Sequence, residues 1–118
     1  GDPAFLCRMR TALGKKARFV FDIKQCARCG LEPAAVLNAM GDGLQHVHIS
    51  DQGEEGDCLL PGKGTDDYPT LYRWMASSDF HGSWIMELYR QNFGDPIELA
   101  EGRRYLEEAL VPGRSTGK

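Results

Sequence analysis

The chain has no run of apolar residues approaching the roughly 20 needed to cross a bilayer, and no charged-then-apolar leader opens it. The expectation is a soluble, cytoplasmic protein with no membrane partner. An excess of positive charge is also missing: 14 Lys and Arg against 17 Asp and Glu give a formal charge of −3. A protein that neutralises a nucleic-acid backbone is basic, so no nucleic-acid partner is expected. Internal repeats and low-complexity tracts are absent. What remains is 118 residues, 42% hydrophobic and 26% charged, enough for one domain with a modest core.

Cysteine is too sparse for a secreted disulfide framework, with four in the chain: Cys7, Cys26, Cys29 and Cys58. Cys26 and Cys29 form a CxxC, but Cys7 and Cys58 make no second pair at the spacing a structural zinc site uses. Reduced thiols in a loop-to-helix segment are expected. A Walker loop is missing too. LPGKGTDD at 60–67 has glycines around Lys63, yet its spacing is wrong and Gly64 stands where Ser or Thr is required.

Strand and helix patterns alternate. Helices are expected over Pro3–Leu13, Pro33–Met40, 68–78 and Pro96–Leu110, all four with a proline in the first turn and two stopping at a glycine. Strands are expected over 17–23, 44–50 and 83–89, each a short β-branched or aromatic run. The Gly-, Asp- and Glu-rich stretch 51–67 reads as one long loop, and 111–118 as a flexible tail after a domain over 1–110. Strands separated by helices pair in parallel, so the class is α/β. Three strands cannot close a barrel, because a (β/α)8 barrel takes 200 or more residues. The chain is therefore an open sheet or part of a larger barrel. Bare sheet edges invite pairing, so self-association as a homodimer is expected.

Polar residues gather at the strand ends. Asp22 follows FVF, His48 and Asp51 close HVHISD, and Glu87 sits in WIMELYR. The carboxyl ends of parallel strands share one face, where two carboxylates and an imidazole suit a divalent cation such as Mn2+, Mg2+ or Co2+, with Zn2+ a further candidate. Singly, each has a plainer role: Asp22 as a helix cap, His48 as a satisfied core histidine, Glu87 as a partner of Arg90. Together at one face they read as a metal site. His46 shares the face of His48 but lies farther from the carboxyl end, His81 is at the opposite end of the sheet, and Trp74 and Trp84 read as core. Lys63 is a candidate anion contact at the mouth of the site.

The order strand-Asp22, HVHISD, LPGKGTDDY and GSWIMELYR, with a terminal helix, resembles the carboxyl-terminal half of the xylose isomerase-like TIM-barrel superfamily of sugar phosphate isomerases and epimerases. The resemblance runs from about Phe19 to Leu110. It implies a half barrel of three parallel βα units, equivalent to strands six to eight. It further implies a metal held by Glu, Asp, His and Glu, of which Asp22, His48 and Glu87 match the last three. Glu87 also matches a proton-transferring carboxylate. The first Glu belongs to a strand that this chain lacks, and a substrate-contacting His is replaced by Gln25. Gln25, Lys63 and Arg90 are the substrate-binding candidates. The implied reaction is proton transfer next to a carbonyl of a sugar or sugar phosphate. That activity is expected of a longer parent or an assembled form, with the isolated chain inactive.

Two other readings compete. The chain is alternatively a non-catalytic truncated barrel or self-assembly module. A relation to the endonuclease branch of the same barrel, with its His-rich three-metal cluster, fits poorly with three histidines and an acidic balance.

Overall fold

The computed structural model describes residues 2–78 and 80–110. Helix α1 (Pro3–Leu13) is capped by Asp2, whose Oδ1 accepts from Phe5 N at 2.8 Å. Strand β1 (Phe19–Asp22) runs straight into a short helix, α2 (Ile23–Arg28), followed by α3 (Pro33–Met40). Gly41 ends α3 at φ 53°, and a Cβ there would meet the Arg10 guanidinium at 2.6 Å, so both backbone shape and space favour glycine. Strand β2 (Leu44–Ile49) follows, then a hairpin of β3 (Asp51–Gly53) and β4 (Gly56–Leu59), helix α4 (Tyr68–Ser77), strand β5 (Ser83–Met86) and helix α5 (Pro96–Leu110).

β1, β2 and β5 form one parallel sheet in that spatial order, with β2 central; the architecture is a three-stranded parallel sheet alternating with helices, as a partial βα repeat requires. Alternation assigns the two faces. Phe19 and Phe21 of β1, with Leu44, Val47 and Ile49 of β2, join Val36, Leu37, Tyr68, Leu71 and Met75 of the helices in the core, and Trp84 and Met86 pack against it. On the other face Val20 and Ile85 are 42% and 43% exposed and His46 is exposed, so the helices cover one side of the sheet only.

Three expectations are corrected. The stretch 51–67 is not one loop, because β3 and β4 pair antiparallel within it. The third strand stops at Met86 rather than residue 89, which places Glu87 just beyond it. Strand β1 likewise yields to α2 at Ile23, because Asp22 caps that helix. No helix among the described residues is long and apolar enough to cross a membrane. The expected tail, 111–118, lies outside the described residues.

Candidate metal centre

Register brings the three candidates together. Asp22 pairs with His48 across β1 and β2, and Glu87 continues the β5 ladder for one residue, its N–H donating to Ile49 O at 2.9 Å. All three side chains therefore leave the carboxyl end of the sheet on its uncovered face. One ligand atom from each falls within 4.8 Å of the others, and this is the only such group among the described residues.

Each carboxylate is divided between two tasks. Asp22 Oδ1 accepts from Gln25 N at 3.0 Å and so caps α2, while Oδ2 lies 3.9 Å from His48 Nδ1. The plain capping role and the site role coexist on one side chain. Glu87 Oε2 lies 2.6 Å from His48 Nδ1, yet it is buried with no hydrogen bond. A buried carboxylate oxygen without a hydrogen bond is costly, and a cation beside it would relieve that cost. This orphaned oxygen, with an oxygen-rich donor set and one imidazole, fits a hard or borderline divalent ion.

Lys24, unmarked by sequence reasoning, completes the surroundings. Its side chain is 3% exposed, with Nζ 3.9 Å from Glu87 Oε1 and 4.3 Å from the centre of the Tyr89 ring. Burial works against its charge, but the Tyr89 side chain and the carboxylates of Asp22 and Glu87 outweigh it and hold the ammonium above its ordinary pKa. Lysine is normally exposed, so nothing in IKQC announces a buried one. The plainer alternative, a pairing of Glu87 with Arg90, gives way to this contact. One turn on in α2, Arg28 grips Asp57 of β4 through two hydrogen bonds.

The remaining candidates do not converge on the three. Gln25 is exposed at the start of α2 and meets Asp22 through its backbone N–H. Lys63 is exposed beside a hollow of about 220 Å³ shared with Glu98, Glu101 and Tyr105. Arg90 donates to Phe93 O at 2.8 Å and lies over the Phe93 ring at 4.9 Å. Asp51, which closes HVHISD, organises the following loop: it is 2% exposed and accepts from the backbone N–H groups of Gln52, Gly62 and Asp66 at 2.9, 2.9 and 3.0 Å. Gly64 packs so closely that a Cβ would lie 2.5 Å from Asp51 Oδ1. Neighbouring Asp66 is pushed up to about 6, first by burial and then by the Asp51 charge. All four cysteines are free, and Cys26 is buried with Sγ donating to Leu31 O at 3.3 Å. Burial raises its pKa, which leaves it unreactive beside Cys29.

No family model matches the chain. It is 31% identical over 77 residues to an uncharacterised protein of Mycobacterium leprae, covering 64% of this chain and 28% of that protein. An uncharacterised protein of Mycobacterium tuberculosis gives the same identity and coverage. An inosose dehydratase of Clostridium beijerinckii is 26% identical over 110 residues, covering 75% of this chain and 37% of the enzyme. The match thus spans from 28% to 37% of the length of these relatives.

Proposed function

We propose that Asp22, His48 and Glu87 are the divalent-metal site of the carboxyl-terminal part of a sugar or sugar phosphate isomerase or epimerase of the xylose isomerase-like barrel superfamily. The observation that carries the reading is the orphaned Glu87 Oε2 beside His48 Nδ1, in a cluster whose ligand atoms lie within 4.8 Å. The distant likeness to an inosose dehydratase supports a sugar-modifying activity. The βα repeat supports strands six to eight of such a barrel.

Mn2+, Mg2+ or Co2+ suits the donors, and when bound such an ion supplies a Lewis acid for negative charge on a substrate oxygen. Glu87 is the acid/base: its carboxylate takes the proton from the carbon next to the carbonyl and returns it. Asp22 holds its position through the α2 cap, and His48 faces both carboxylates through Nδ1. Gln25, Lys63 and Arg90 are candidate substrate contacts. With one sheet face uncovered, the isolated chain is inactive and self-associates; the active form is a longer parent or an assembly.

Isothermal titration with Mn2+ tests the reading. His48→Ala and Glu87→Gln are each expected to weaken binding at least tenfold. Undiminished binding in both variants would refute the assignment. A second reading, a non-catalytic assembly module, draws on the uncovered sheet face; sugar turnover by this chain alone would remove it.

A further inference from the structure

Lys24 is the one buried basic side chain among the described residues, and burying an ammonium is unfavourable unless its surroundings compensate. Its surroundings are two carboxylates of the candidate centre and one aromatic face. Glu87 presents Oε1 to Lys24 at 3.9 Å and Oε2 to His48 at 2.6 Å, so the ammonium and an ion at the three ligands would sit on opposite oxygens of one carboxylate. The separation from Oε1 is too long for a hydrogen bond, so the interaction is one of charge rather than of fixed geometry. Arg28, the next cation along α2, is neutralised by Asp57 and adds no net charge.

We propose that Lys24 is a resident cation that sets the ligand preference of this centre: it weakens the hold on a divalent ion and strengthens the hold of the ion-loaded centre on an anionic ligand. The inference rests on the metal reading above. Asp22 and Glu87 together carry two negative charges, and Lys24 cancels one of them. Whatever else surrounds the ion, the loaded centre is one unit more positive than its ligands alone would make it. Its preferred ligand class is therefore one with negative charge on adjacent oxygens, such as an α-hydroxy acid or an ionised hydroxy ketone. A neutral polyol gains nothing from Lys24.

The sign of the effect separates this role from a structural one. If Lys24 merely ordered Glu87, its loss would weaken ion binding, as loss of an outer-shell partner does. If its charge matters, loss tightens ion binding, because a repulsion across a few ångströms is removed. Mn2+ binding is measured by titration calorimetry on wild type, Lys24→Met, Lys24→Gln and Lys24→Arg at one pH, with circular dichroism melts to confirm folding. Glycolate binding to each Mn2+-loaded protein is followed by electron paramagnetic resonance. Lys24→Met and Lys24→Gln are each expected to bind Mn2+ about tenfold more tightly and glycolate about tenfold more weakly, with Lys24→Arg like wild type. The Gln variant carries the test if the Met variant does not fold. Equal or weaker Mn2+ binding by the neutral variants overturns the proposal and leaves the metal reading intact; unchanged glycolate binding overturns the ligand preference. If wild type binds no Mn2+ but the neutral variants do, the metal reading stands and Lys24 is the cation that opposes the ion. Silence in all four proteins overturns both.

Discussion

Asp51 and Asp66 sit together, joined by the Asp66 N–H donating to Asp51 Oδ1, and burial treats them differently. Asp51 spreads its charge over three backbone N–H groups, while Asp66 has one side-chain donor, Gln52 Nε2 at 3.2 Å, and a buried oxygen with none. The folded-state pKa of Asp66 is raised from 3.8 to about 6, so the folded protein binds the proton more tightly than the unfolded chain. Its contribution is fully present below about 3.8 and is lost as pH rises through about 6. Asp66 is half-buried, and solvent screening limits the loss to about 2 kcal/mol. Asp66→Asn removes the titration. Thermal melts should show the difference between Asn variant and wild type growing in the variant's favour from pH 4 to pH 7; a constant difference would contradict this.

At the same scale, Asp22, His48 and Glu87 were legible because each closes an apolar strand pattern, and parallel pairing gathers strand ends. Lys24 was not, because its burial depends on Tyr89 arriving from a segment 65 positions later, and no local pattern encodes that. Asp51 was visible as a polar strand terminus, but its direction toward the loop follows from the tight turn at Gly62 and Gly64.

Among the elements, α2 has the closest link to the site. It is only six residues long, and its first turn is tied to Asp22. Asn can accept the same backbone hydrogen bond without the charge. Asp22→Asn should therefore keep the melting temperature near that of wild type while weakening Mn2+ at least tenfold, whereas Asp22→Ala should also lower stability by about 1 kcal/mol. Equal melting of the two variants would mean that the cap contributes little. The longer helices were readable from their prolines and glycines. The β3–β4 hairpin was hidden, since its strands are three and four residues long, rich in Gly and Asp, and include Cys58 at φ 58°. The end of β5 was overrun because LY continues an apolar pattern after pairing has stopped.

On the scale of the molecule, the sheet is layered on one side. Parallel sheets are ordinarily covered on both, and here Val20 and Ile85 remain about two-fifths exposed beside the candidate centre. Sedimentation should find the isolated chain self-associated, and Val20→Lys with Ile85→Lys should shift it toward monomer without unfolding it, since neither side chain belongs to the helix-facing core. A stable, folded wild-type monomer would refute this. The class of the fold was legible from alternation alone, whereas what covers the second face is not written in local pattern.

The Asp51 carboxylate holds the 60–67 turn by main-chain groups, and so the rim beside the strand ends keeps its shape without help from its own outward side chains. Lys63 is thereby free to drift in identity. Variation at that position would retune which molecule is admitted while the frame that admits it stays put.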